Sequence, residues 1–303
     1  MIKLKINEFI AKTVRVVRNP TKTFIKAFPQ VFWRSYAKKA RQAGFDHLYL
    51  ILSFDCDTNE DIAAAEQIHA WLQARGLKAV YAVPGDQLQK GASTYRRLAE
   101  DGAEFINHGA LPHTEWRDGR YWSVTFYREM SPQAIVEDIH RGHEIVKQVT
   151  GKEPTGFRVP HFGLFQEQHE LSFLHKTLFG LGYVFSSSTI PQFAMRYGPI
   201  WQTDGIIEIP LSGAFHSPLS IFDSWTHIIS PRQAMIRETY KNIFLNTINE
   251  LSKRKITGII NYYVDPVHIY RSAAFYEALV YALDRGISFS TYSQYTEWIK
   301  TSD

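Results

Sequence analysis

The sequence predicts an α/β fold, a distorted (β/α)7–8 barrel over residues 46–303 that follows a basic helical appendage at residues 1–45. Three observations predict it. From residue 46 onward, short apolar runs alternate with amphipathic helical stretches, with no low-complexity linker and no internal repeat. Gly151, Gly182, Gly258 and Gly286 fall where helices should hand over to strands, as C-terminal cap glycines do. Acidic and imidazole side chains gather at the ends of the strand-like runs, where barrel enzymes carry their chemistry.

In chain order, residues 7–18 read as an amphipathic helix, with Asn7 as N-cap and Phe9, Ile10, Val14 and Val17 on one face. Pro20 ends it. A second helical stretch, Thr21 to about Ala43, carries Phe24, Ile25, Phe28, Phe32, Trp33 and Tyr36, with a kink at Pro29. Strand-like runs then cover 47–54, 78–83, 103–107, 155–159, 183–187, 206–210, 257–264 and 287–291. Helical patterns cover 60–75, 92–101, 131–150, 167–181, 231–254 and 271–285. Ser131-Pro132 and Ser230-Pro231 each offer an N-cap with proline at the first helical position.

The net charge of +4 is unevenly spread. Residues 1–41 hold eleven Lys and Arg against Glu8 alone, whereas the remainder holds 23 bases and 29 acids. The basic character therefore belongs to the appendage, and no nucleic-acid partner is expected for the barrel. Aromatics flanked by bases suit an interfacial anchor on an anionic membrane, with Phe24, Phe28, Phe32 and Trp33 at headgroup depth. A basic hairpin packed on its own barrel, or on a second subunit, is the alternative. No apolar run approaches the 18 residues of a membrane span, and the N-terminus lacks an apolar signal core. With one cysteine, Cys56, these features predict a cytoplasmic enzyme held at the inner face of the membrane.

Asp55 and Asp57 end the first strand-like run, and His108 and His113 follow the third. Carboxylates one residue apart and imidazoles five apart can build a site for a borderline divalent metal, leaving one carboxylate to handle protons. An Asp-x-Asp at a strand end serves equally well as a turn or helix cap.

The ordered stretches Ser53-Phe-Asp-Cys-Asp-Thr58, Asn107-His-Gly-Ala-Leu-Pro-His-Thr114, Gly156-Phe-Arg-Val-Pro-His161, Gly182-Tyr-Val-Phe-Ser-Ser-Ser188 and Asn261-Tyr-Tyr-Val-Asp-Pro266 carry a family likeness. Over about residues 46–300 the chain resembles the polysaccharide deacetylases of carbohydrate esterase family 4, the NodB homology domain. The resemblance implies a metal-dependent hydrolase that removes N- or O-acetyl groups from sugars, with zinc as the expected ion. It implies that Asp55 is the general base, that Asp57, His108 and His113 hold the metal, and that Arg158 keeps Asp55 ionised. The peptide N–H of His161 would bind the oxyanion.

Two positions depart from the family pattern. Its histidine pair is four apart and here is five apart, with Pro112 inside. The family's histidine before the last proline is Asp265 here, so the general acid is either Asp265 or His268. Trp116, Trp122, Asp223, Trp225 and Glu208 are further candidates for contact with an N-acetylated saccharide, which a membrane location would make lipid-linked. A metal-poor barrel that only binds carbohydrate, and an allantoinase-like amidase acting on a non-sugar amide, are the competing readings.

Overall fold

Parallel strands curl into one nine-stranded sheet, with helices joining successive strands across its outside. The computed structural model describes residues 20–228 and 235–302. The expected helix over 7–18 and the Ser230-Pro231 cap lie outside the described residues.

The chain opens with α1 (Pro20–Ala27) and α2 (Pro29–Gln42). All eight strand-like runs then form strands: β1 (Leu48–Asp55), β2 (Val80–Val83), β3 (Glu104–Asn107), β6 (Gly156–Phe157), β7 (Phe185–Ser186), β9 (Ile206–Glu208), β12 (Gly258–Val264) and β13 (Ser288–Phe289). The sheet runs β12-β1-β2-β3-β6-β7-β9-β8, where β8 (Trp201–Thr203) is antiparallel to β9, and β13 pairs with the start of β1. Because β1 and β12 are covered on both faces, they read as continuous apolar runs and not as alternating ones.

The main helices are α3 (Asn59–Gln73), α5 (Ala92–Glu100), α6 (Pro132–Thr150), α7 (Gln168–Gly180), α9 (Glu238–Lys253) and α11 (Ala273–Asp284). Ser131 caps α6 by accepting from the Ala134 amide at 3.2 Å, and Gly151 ends it with φ +73°. Helix α9 starts at Glu238, well after the expected position 231. Shorter pieces complete the chain: α4 (Gly85–Lys90), α8 (Pro191–Tyr197), α10 (Pro266–Ile269), α12 (Tyr292–Ser302), and the hairpins β4–β5 (Thr114–Arg117, Arg120–Ser123) and β10–β11 (Gly213–Ala214, Ser217–Ile221).

Nothing in the pairing joins β9 directly to β12. The Ser212 amide donates to the Asn261 carbonyl at 2.9 Å, and the Asn261 amide donates to the Ser212 hydroxyl at 3.0 Å. The Asn261 carboxamide reaches the Ile209 and Pro210 carbonyls and the Ser187 hydroxyl. Ser212 and Asn261 together thus do across the seam what a strand ladder does elsewhere.

The N-terminal segment departs from the anchor expectation. Helix α1 stops before Pro29 and α2 restarts there, as a proline break dictates. Ile25, Phe32, Trp33 and Tyr36 are buried in the same core as the strands. The Trp33 indole donates to the Phe215 carbonyl at 3.0 Å and stacks on the Phe215 ring. Phe32 and Trp33 therefore cannot dip into a membrane interface, and the packing alternative holds for α2. Phe24 and Phe28 remain exposed, at 51% and 47%. No helix among the described residues is long and apolar enough to cross a membrane.

Trp33→Ala should lower unfolding free energy by about 3–5 kcal/mol, the usual cost of emptying a large aromatic site. Urea unfolding of the two proteins measures it, and a loss below about 1 kcal/mol would mean that α2 is only loosely applied to the barrel.

Candidate active site

Every element that reaches the site does so from a strand's C-terminal end. Asp55 closes β1, and Asp57 lies in the turn into α3, where Thr58 and Asp61 form a capping box. His108 follows β3 directly and Arg158 follows β6. Asp265 follows β12 and begins α10.

The i, i+5 histidines converge because their loop is pinned from outside. On α6, one carboxylate oxygen of Asp138 accepts from the Ala110 and Leu111 amides at 2.9 and 2.8 Å. Its other oxygen accepts from the Tyr127 hydroxyl at 2.7 Å. Gly109 sits at φ +78°, and a Cβ there would come within 2.4 Å of that carboxylate, so only glycine fits. Nδ1 of His108 lies 2.8 Å from the Arg158 carbonyl. A carbonyl can only accept, so the ring proton sits on Nδ1 and the Nε2 lone pair faces the carboxylates.

Asp57, His108 and His113 each offer one donor atom within 4.8 Å of the others. His108 Nε2 lies 4.0 Å from Asp57 Oδ1, and His113 Nδ1 lies 3.1 Å from the same oxygen. Burial acts against charge on His108 and holds it well below the usual histidine range. Burial also opposes ionisation of Asp57, yet His113 and His108 outweigh it and leave the carboxyl at about 2. His113 is raised, because Asp57 overcomes the burial that would lower it. An anionic oxygen and two imidazoles suit zinc or a similar divalent ion, which would displace the proton that Asp57 and His113 share. The donor set therefore fits the metal that the sequence implies. The buried His113 Nε2, without a hydrogen-bond partner among the described residues, marks a ring not yet fully engaged.

Asp55 is bound by the fully buried Arg158 guanidinium, which also donates to the Ser53 hydroxyl at 2.8 Å and the Tyr292 hydroxyl at 2.7 Å. Burial raises the Asp55 carboxyl and Arg158 pulls it down, for a balance at about 6. Asp55, Asp57, His108, His161, Asp223, Trp225 and Asp265 border one cleft of about 310 Å³. His161 stands at φ +55°, with its Nε2 2.6 Å from the Val124 carbonyl. Asp223 also shapes its own loop, accepting from the amide and hydroxyl of Thr226 at 3.0 Å each.

Four candidates lie elsewhere. His268 and Trp116 border a neighbouring hollow instead of this cleft. Glu208 is fully buried, and it accepts from the Ser188 and Thr189 amides at 2.8 Å each and faces His175 at 3.1 Å. It holds a loop and does not border the cleft. Trp122 carries the Arg120 guanidinium 3.5 Å from its ring. Sequence reasoning missed Phe162 and Tyr263, which border the cleft with rings 4.9 Å apart, and it missed Asp138. The adjacency of Phe162 to His161, and of Tyr263 to Asp265, was the available signal.

Asp265 is 4% exposed, and burial together with Asp57, Asp55 and Asp223 pushes its carboxyl well above the usual range. Its Oδ2 lies 3.0 Å from His268 Nδ1 but is not aligned for a hydrogen bond. That nitrogen is engaged instead by the Ser224 hydroxyl at 3.0 Å, which also accepts from the Asp265 amide. Burial lowers His268 to about 4, against the pull of Asp61 and Asp223.

Residues 44–170 match the family model for polysaccharide deacetylase. Among solved structures, the chain is similar to one assigned as a polysaccharide deacetylase from Mycobacterium smegmatis, at 17% identity and TM-score 0.62, covering 84% of this chain and 91% of that one. It is also similar to one so assigned from Pseudomonas aeruginosa PAO1, at 12% identity and TM-score 0.58, covering 83% and 89%. Puue allantoinase aligns at 11% identity and TM-score 0.56, covering 86% and 90%. At such identities the likeness is one of fold. No curated protein sequence matches significantly.

Asp138→Ala should release the 110–111 loop and weaken divalent-metal binding by about 10–100-fold, the range for losing a group that orients ligands. Competition against a chromophoric chelator measures it. Unchanged affinity would show that the loop holds its shape without the carboxylate.

Proposed function

We propose that this chain, whose residues 44–170 carry the polysaccharide deacetylase family pattern, is a metal-dependent hydrolase that removes an N-acetyl group from a sugar. The observation that carries the reading is the single cleft that joins an Arg-bound carboxylate, Asp55, to the Asp57–His108–His113 donor set.

A divalent ion held by those three residues would polarise the acetyl carbonyl and acidify water, which addresses both weaknesses of amide hydrolysis. Asp55, ionised at neutral pH and aimed by Arg158, takes the proton from the attacking water. The His161 peptide N–H is offered to the developing oxyanion. For the leaving nitrogen a proton donor is needed. Asp265 fits better than His268: it borders the cleft, and burial with its carboxylate neighbours favours its protonated form, whereas His268 is held low by burial, tied to Ser224 and turned to the adjoining hollow.

Acetate release from N-acetylhexosamines by the zinc-loaded protein tests this. Asp55→Asn should lower the rate by about 10²–10⁴-fold. Chelation should abolish it, with zinc restoring it. Full activity in Asp55→Asn sinks the mechanism. Ureide hydrolysis without acetate release would move the protein to the amidase reading, and sugar binding without any hydrolysis to the carbohydrate-binding one.

The reading extends to a location on an anionic membrane surface at the cytoplasmic side, with a lipid-linked saccharide as substrate. It is supported by the exposed ring pair Phe24 and Phe28, 5.2 Å apart, beside exposed Val31, Lys26, Arg34 and Lys38. Each basic residue near such a surface contributes about 1 kcal/mol. Full-length protein should float with anionic vesicles at low salt, and a Phe24→Ser, Phe28→Ser variant should do so markedly less. Equal flotation refutes a role for these rings. Point substitutions are required here because deleting α2 would open the core.

A further inference from the structure

Among the described residues, five other than glycine hold a positive φ, and three of them have ordinary reasons. Asp118 and Asp204 each precede a glycine in a hairpin turn, and Lys255 follows the end of α9. Thr125, at φ +61°, and His161, at φ +55°, stand in no such place. One bond joins their segments: His161 Nε2 lies 2.6 Å from the carbonyl of Val124. Left-handed backbone costs free energy outside glycine and persists only where the surroundings hold it, so an outlier that borders the cleft calls for a cause.

The imidazole supplies one. A carbonyl can only accept, so His161 carries a ring proton on Nε2 and donates it to Val124. Phe126 packs on the same ring with centroids 4.7 Å apart, and the ring of His113 stands 5.6 Å away. With that proton given to Val124, the side chain is a tie between two segments and not a free acid.

The tie reaches further along the chain. The Val124 amide donates to the His113 carbonyl at 2.8 Å, and the Thr125 hydroxyl donates to the Pro112 carbonyl at 2.6 Å. Residues 124–125 thus grip the segment that carries His113, while Asp138 holds Ala110 and Leu111 just before it. The β4–β5 hairpin that joins the two sides is largely exposed and packs too little to keep them in register by itself. The hold comes from His161, on the loop after β6.

We propose that the His161 imidazole is a positioning residue for both halves of the site. It clamps its own backbone in the left-handed conformation that sets the His161 peptide N–H at the cleft, and through Val124 it holds the His113 segment in place for metal. The first half rests on the deacetylase reading and the second does not, so zinc affinity and acetate release separate the two. Full-length protein is titrated with zinc against a chromophoric chelator, and acetate release from N-acetylglucosamine gives kcat and KM. His161→Phe keeps a ring and removes the donor. His161→Gly removes the ring and the backbone strain together, so it does not burden the fold. His161→Gln restores a side-chain N–H of similar reach. We expect His161→Phe and His161→Gly to bind zinc about tenfold or more weakly. At saturating zinc both should lose about tenfold or more in kcat with KM little altered, as for an interaction made only in the transition state. His161→Gln should recover most of both losses. Wild-type zinc affinity in both His161→Phe and His161→Gly, or kcat unchanged at saturating zinc, overturns the clamp while leaving the deacetylase reading intact. Zinc affinity that falls in those two variants and returns in His161→Gln, without acetate release by the wild type, keeps the hold on His113 and overturns the deacetylase reading. Unchanged affinity without acetate release overturns both.

Discussion

A single buried cation organises this molecule. Arg158 is fully enclosed, and its guanidinium holds Asp55 at the end of β1, the Ser53 hydroxyl on the same strand and the Tyr292 hydroxyl at the start of α12. Its own carbonyl fixes the tautomer of His108, and its amide donates to the carbonyl of Asn107. Two strands, the last helix and two functional side chains therefore meet at one residue. A charge this deep is tolerated only while its partner is present, and losing one member of such a pair typically costs about 3–5 kcal/mol. Stability and site geometry are thus tied together: the contact that keeps the arginine tolerated in the core is the one that orients the Asp55 carboxylate at the cleft.

Around that centre, polar side chains complete what the short strands leave open. Tyr292 passes from Arg158 to Asn261, and Asn261 spans the seam between the ends of the sheet. Asp138 and Glu208 do comparable work at the rim, each accepting two backbone amides from a loop. Buried carboxylates are costly in an apolar interior, yet satisfied ones define loop geometry more sharply than packing alone. This is how strands of only two residues, β6 and β7, can still present a defined site.

How much of this was legible in the sequence depends on where each signal resides. The strands were legible because a fully enclosed parallel strand must be a run such as Leu-Tyr-Leu-Ile-Leu. The β4–β5 hairpin was not, since Glu115, Trp116, Arg117 and Trp122 are exposed and follow no burial period. Asp55, Asp57, His108 and His113 could be picked out by residue type and position after strands. Their convergence could not, because it depends on Asp138, 25 residues beyond His113 on another element. Glu208 looked like a substrate contact for the same reason Asp55 did, a carboxylate closing a strand. What distinguishes them is the environment: one meets an arginine in a cleft, the other the amides of its own neighbourhood. Phe32 and Trp33 show the opposite ambiguity, for an aromatic stripe flanked by bases is the same pattern whether it faces lipid or a barrel.

Tyr36 carries a consequence for how the chain reaches this state. Its hydroxyl donates to the Ile259 carbonyl at 2.5 Å and accepts from the Ile259 amide at 3.0 Å, across a sequence separation of 223 residues. The ring comes that close only because Gly258, at φ +127°, has no Cβ to meet it. Helix α2 thereby occupies backbone groups on β12, the terminal strand of the sheet order. An uncovered sheet edge is a template for other chains, and here its cover comes from a stretch of chain far away in the sequence. The aromatics of α2 share their core with β12 and gain that burial only when both stretches are in place. Folding consequently includes a closing event between stretches far apart in the sequence, a non-local pairing whose loop-closure cost precedes its reward.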